Sequence, residues 1–168
     1  MKDITTLKDL MVLHLQSLYD AEIKWAESLR ENSTLVSSNE LKYIFDKGSK
    51  NAYQHANLLK DTLSNLGKSI IGKRNNVAND ITRELKELKE TAADHEVLDA
   101  GLIVTHQCMN HYMIAKYGTV SSYARMLSEE KIARILHEIL EEEKREDEAL
   151  TKLAEEKINV KAKSALIH

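Results

Sequence analysis

The sequence contains no proline, a single cysteine and five glycines, and aromatic residues make up only 5% of it. A protein of many short strands needs far more turn-forming residues, so a sheet architecture is excluded and long helices are favoured. One cysteine rules out an internal disulfide and fits a reducing compartment. No apolar run approaches the roughly 20 residues of a membrane-spanning helix. The opening MKDITTLKDL enters a helical pattern directly, with no signal peptide. No basic stripe is present, so nucleic acid is not an expected partner. What the chain does have is Leu, Lys, Glu and Ala in abundance, spread over 168 residues with a net charge of -3 and both signs interspersed. That is enough for one domain with a real core. The expectation is a cytoplasmic, all-helical single domain over residues 1–168, its tail fraying from about Asn159.

Four long periodic segments stand out. The first runs from about Thr6 to Asn32. Ser37 with Glu40 fits a capping box that opens the second. That helix continues to about Leu66 and stops at Gly67, and GKSIIGKRNN reads as a loop. A shorter amphipathic helix, about Val77 to Thr91, leads into the third long helix, about Leu98 to Leu127. Ser128 fits an N-cap for the fourth, which runs to about Lys157. Short turns join the first and second long helices and the third and fourth, while a long crossover with its own small helix separates the two hairpins. The predicted fold is therefore all-α: a ferritin-like four-helix bundle with a long crossover carrying a short extra helix.

Unrolling each helix at about 100° per residue shows which polar residues interrupt the apolar stripes. On the first helix, Leu7, Met11, Leu18, Trp25 and Leu29 form a stripe that includes His14 and Glu22. On the second, Leu41, Ile44, Gly48, Leu58, Leu59 and Leu66 form one with Thr62, and His55 lies near its centre with Asn51 one turn back. The third has an inward arc of Ile103, His106, Asn110, Met113, Tyr117, Val120 and Ala124. His111 falls roughly 130° off that arc and Cys108 and Tyr112 also point elsewhere. On the fourth, Ile132, Leu136, Leu140, Leu150 and Ala154 flank Glu143 and Asp147, while Glu142 and Glu146 lie nearer the boundary. Facing residues of a hairpin are about equidistant from its turn. By that rule Glu22 mirrors Asn51, and Asn110 and Met113 mirror Asp147 and Glu143. The polar interruptions thus fall at one level of the bundle, where buried acids must be paired, protonated or bound to a cation.

Several segments resemble the YciE/YciF stress-protein family of bacteria. LQSLYDAE is similar to that family's L-x-D-L-Y-D-A-E, and LKYIF to the start of its second helix. LDAGLI and HYMIAKYGT are similar to D-A-x-L-I and E-H-Y-E-I-A-x-Y-G-T. ILEEEKREDEALTKLAEEKIN is similar to L-D-E-E-K-x-x-D-x-x-L-T-x-L-A-x-x-x-I-N. The resemblance covers nearly the whole chain. It implies a ferritin-like bundle, commonly dimeric, with a carboxylate-rich metal site in its core. Glu22 matches the family's first-helix acid, and Glu143 and Asp147 match those of the fourth. Asn51, Asn110 and Met113 stand where the family has acids, and His55 stands at a position that is often polar.

Two readings of this level follow. In one, Glu22, His55, Glu143 and Asp147 hold a single divalent ion (iron, manganese or zinc), with Asn51, His106 and Asn110 as weaker candidates. In the other they form a metal-free polar network in which Tyr117, Asn110 and the histidines act as donors. A bridged metal pair needs more carboxylates than this inward set supplies. Met109 and Met113 read as core filler, Cys108 as structural, and His111 as a surface or interhelix residue. The functional expectation is a stress-associated, homodimeric protein that acts by binding, with a simplified metal site of one ion or none, rather than as an enzyme. The alternative is a di-metal oxidoreductase or iron-handling protein with a modified centre. No small-molecule substrate is legible. Tyr112, Tyr123 and Cys108 are candidates for the dimer interface.

Overall fold

The computed structural model describes residues 4–164. Its order is α1 (Leu7–Asn32), α2 (Asn39–Asn65), α3 (Asn76–Thr91), α4 (His95–Met126) and α5 (Glu130–Leu153), then a π-helical turn (Ala154–Ile158) and α6 (Asn159–Ser164). The fold is an all-α bundle, as expected. The hairpins α1–α2 and α4–α5 pack together, and the crossover between them carries α3.

Local chemistry sets the helix ends, and it corrects four of the expected boundaries. Thr6 and Asp9 form a reciprocal capping box at the start of α1. The cap of α2 is Ser38, whose hydroxyl accepts from the Leu41 N–H at 3.3 Å, and not Ser37. Helix α4 starts at His95, earlier than expected, because Asp94 caps the N–H groups of Glu96 and Val97 at 2.8 and 3.1 Å. Ser128 is not an N-cap. With φ 58° it terminates α4: its own N–H donates to Arg125 O at 3.0 Å and that of Glu129 to Ala124 O at 2.9 Å. Gly67, φ 64°, ends α2 with the same pattern of bonds, Gly67 to Ser64 and Lys68 to Leu63. The expected end near Lys157 is also passed. One extra residue in the π turn re-phases the helix so that Ile158 stays buried, and helix continues to Ser164. The end of the tail, residues 165–168, lies outside the described residues.

The core is one cluster in which Met11, Leu15, Leu41, Leu59, Leu63, Leu102, Met109, Met113, Leu136 and Leu150 are fully enclosed. Burying each such side chain contributes about 1.5–3 kcal/mol before entropy is counted. Both methionines are core filler, as expected. Leu7 and Leu58, placed in the stripes from sequence, are 37% and 40% exposed, at the rim. The two hairpins are clasped by Asp99. Its buried carboxylate accepts from the Ser37 N–H (3.0 Å), the Ser37 hydroxyl (2.7 Å) and the Ser38 N–H (2.9 Å) in the α1–α2 turn. Among the described residues no helix is long and apolar enough to cross a membrane.

Candidate metal centre

Four helices contribute to one polar cluster inside this core. Glu22 comes from α1, His55 from α2, Tyr117 from α4 and Glu143 from α5. Glu22 and Tyr117 are fully buried, His55 is 3% exposed, and the Glu143 side chain is 12% exposed. Each of Glu22, His55 and Glu143 offers one ligand atom, and these atoms lie within 4.8 Å of one another. The Tyr117 hydroxyl donates to Glu22 Oε1 at 2.5 Å. His55 Nδ1 lies 3.3 Å from the same oxygen and 3.6 Å from Glu143 Oε1. Its Nε2 is 3.0 Å from Glu142 Oε2.

Both ring nitrogens of His55 thus face carboxylates, an arrangement that suits the doubly protonated ring. Burial disfavours that charge. The hydrogen bond and charge of Glu22, then Glu142 and Glu143, outweigh it and raise the His55 pKa to about 9. Glu143 is pushed well above the usual carboxylate range by burial first and then by the charges of Glu22 and Glu146, with His55 opposing. Tyr117 is raised well above the usual phenol value by burial and by Glu22. Every one of these shifts favours keeping a proton in the cluster, because burial disfavours the ionised Glu143 and Tyr117 and because the cluster holds more negative charge than its own cation offsets.

Three buried polar atoms at this level have no hydrogen-bond partner: Glu22 Oε2, Asn110 Oδ1 and His106 Nδ1. An unpaired carboxylate oxygen in a dry core is costly, and a cation beside it would remove that cost. The donor set of two carboxylates and one imidazole is one that iron, manganese and zinc all accept.

The remaining expected residues fall elsewhere. Asp147 does not join the triad: Gln107 Nε2 donates to it at 3.1 Å, and His111 Nε2 lies 3.3 Å from its other oxygen. The reason is the tight turn at Ser128, which puts Asn110 against Glu143, with its amide 3.2 Å from the Glu143 carbonyl, instead of opposite Asp147. Likewise Glu22 faces His55 and not Asn51. Asn51 is half-buried and lines a groove of about 450 Å³ between α2 and α5. His106 is buried but outside the triad. Its Nε2 is 2.6 Å from Glu146 Oε1, and its ring stands edge-on to Trp25 and Phe45. The His111 side chain is 68% exposed. Cys108 is exposed, and His14 is half-buried well away from the triad.

Sequence reasoning missed the parts played by Glu142 and Glu146. Both sit at the edge of the stripe, and a long carboxylate there reaches inward as readily as outward. The available signal was a buried histidine opposite each, His55 and His106, since a buried histidine needs a partner.

Comparison with known proteins identifies the family. The family described as "Domain of unknown function (DUF892)" matches residues 6–163. Protein YciF of Escherichia coli (strain K12) is 30% identical over 163 residues, covering 96% of this chain and 98% of YciF. The crystal structure of the E. coli stress protein YciF superimposes with a TM-score of 0.87 at 29% identity, over 93% of this chain and 99% of that one. YcfI of Rhodopseudomonas palustris superimposes with a TM-score of 0.85 at 27% identity, over 89% and 96% of the two chains. With the family match running through all the long helices and the likeness to YciF almost end to end, the chain belongs to the DUF892 family.

Proposed function

We propose that this protein is a stress-associated, ferritin-like metal binder that holds one divalent cation through Glu22, His55 and Glu143, and acts by binding rather than by redox turnover. The observation that carries the reading is the convergence of those three ligand atoms within 4.8 Å of one another in the core, where the second Glu22 oxygen, Oε2, is buried without a hydrogen-bond partner. The bound ion would supply positive charge where His55 and its protons supply it in the free protein. Loading therefore releases protons. Glu142, whose side chain is 43% exposed and also lines the groove beside Asn51, connects the triad to solvent and marks the route by which an ion enters. On α4 the level offers Asn110 and Met113, neither of which brings charge to offset a second ion. A cytoplasmic location and a homodimer belong to this reading, and sedimentation velocity checks the latter.

A second reading rests on Glu142 and Glu146. Together with Glu22 and Glu143 they make four carboxylates near His55 and His106, more than the inward stripe shows, and this favours a modified two-ion centre with oxidoreductase or iron-handling activity. Elemental analysis of protein purified without chelator separates the two. One equivalent per chain that is lost in Glu22→Gln supports the first. Two equivalents of iron or manganese with peroxide-dependent turnover establish the second. Metal-free protein whose melting temperature ignores added iron, manganese and zinc would sink both.

A further inference from the structure

A second polar cluster sits on α1 two turns before Glu22, and its sign is opposite. His14 on α1, Tyr112 and Lys116 on α4, and Lys73, Arg74 and Asn75 at the end of the crossover loop line a pocket of about 260 Å³. Lys73, Arg74 and Lys116 make no ion pair among the described residues, although the chain carries a net charge of -3. Asp20, a carboxylate of α1 beside the loop, is committed elsewhere. It accepts from the Asn75 N–H at 2.7 Å and pairs with Lys24 at 2.6 Å.

The pocket is built, not incidental. The loop is pinned to α1 at both ends. Gln16 Nε2 donates to Ser69 O at 2.8 Å, and the Gln16 side chain lies so close to Gly72 that a Cβ there would fall 2.1 Å from its Oε1. Asn75 Nδ2 donates to Ser17 Oγ at 3.1 Å and to the Tyr112 hydroxyl at 2.8 Å, and Asn75 itself is 2% exposed. Lys73 is thereby held next to Lys116. The Lys116 ammonium donates to His14 Nδ1 at 3.2 Å and lies 5.7 Å from the centre of the Tyr112 ring. A histidine that accepts at Nδ1 is neutral and carries its proton on Nε2, so His14 adds a donor. The crowding is energetically visible. Burial and the positive charge of Lys73 lower the pKa of Lys116, and burial with Lys116 and Lys73 lowers that of His14. Like charges gathered at a rigid concave site, without a counter-charge, fit an anionic ligand.

We propose that this pocket binds a phosphate-sized oxyanion, either inorganic phosphate or the phosphoryl group of a small monoester, held by Lys73, Arg74 and Lys116. The site is independent of the metal centre and of any reading of it.

The test is an NMR titration of the full chain with inorganic phosphate and, separately, with glycerol phosphate, at ionic strength held constant with sodium chloride. A saturable displacement of the His14 ring signal is expected, while that of His111, beside Asp147 on the outer face, stays put. Lys116→Met and Lys73→Met should each weaken binding by about tenfold or more, and Lys152→Met should leave it unchanged. Lys73 lies on an exposed loop, so its variant keeps the fold if Lys116→Met does not. Tighter binding of either probe supports the site and identifies the source of the oxyanion. An equal displacement by chloride alone, or unchanged affinity in Lys73→Met, overturns the proposal.

Discussion

The Glu22 cluster and the His14 cluster lie two turns apart on α1, yet they handle surplus charge in opposite ways. Around Glu22 the surplus is negative and largely buried, so the protein retains protons: on His55, whose pKa rises to about 9, and on Glu143. Around His14 the surplus is positive and half-open, and the groups give protons up, since the pKa values of His14 and Lys116 both fall. One helix thus carries a site that fits a cation and a site that fits an anion. Their difference in burial decides how much of the stability of the protein depends on each.

The largest expected break in this comparison is His55→Ala in metal-free protein. It leaves Glu22 and Glu143 facing each other without a cation and should cost about 3–5 kcal/mol, read from urea denaturation. A loss below about 1 kcal/mol would mean that water already enters the cluster. Next comes pH. Because the folded pKa of His55, about 9, exceeds its ordinary 6.5, its contribution is complete below pH 6.5 and disappears as the pH rises to 9, by up to about 3 kcal/mol. Glu143, also raised, acts in the same direction: its contribution is complete below the ordinary carboxylate value and is lost as the pH rises through its raised one. His14 is lowered, so its contribution holds above pH 6.5 and is lost as the pH falls below that value. Urea midpoints at several pH values should therefore drop steeply on the alkaline side of pH 6.5, while on the acid side the loss from His14 and the gain from Glu143 oppose each other. A flat profile between 6.5 and 9 would refute a charged His55. Third, Glu143→Gln removes the cost of ionising a buried carboxyl and should stabilise metal-free protein by about 1 kcal/mol at alkaline pH, where that carboxyl loses its proton, while weakening metal binding. A gain in stability that appears only without metal would sharpen the contrast with Lys116. Smallest is His14→Ala, expected within about 0.5 kcal/mol by thermal melting, since its cluster is solvated.

How far the sequence reaches can be judged from particular residues. The α4 arc from Ile103 to Ala124 is buried at every position assigned to it, because apolar periodicity over so long a helix leaves little freedom of rotation. Glu22, His55 and Glu143 were legible for the same reason. Asp147 was misplaced because hairpin register depends on turn geometry: Ser128 adopts a left-handed conformation that its residue type does not announce. The error is about one helical turn, enough to exchange Asp147 for Asn110's actual neighbour, Glu143. Ser37 and Ser38 were confused because adjacent serines offer the same cap, and the choice is made by Asp99, 61 residues away from Ser38. Glu142 and Glu146 were missed because angular position fixes where a Cα points, while a flexible glutamate chooses its own direction afterwards.

The Asp99 clasp also bears on time, not only on architecture. Each hairpin joins helices adjacent in sequence and can form early, since its loop closure is short. The bonds from Asp99 to Ser37 and Ser38 exist only once the two hairpins have docked. Interactions completed that late act on the rate of unfolding more than on the rate of folding. A single carboxylate at the junction thus bears on how long the bundle stays shut once assembled.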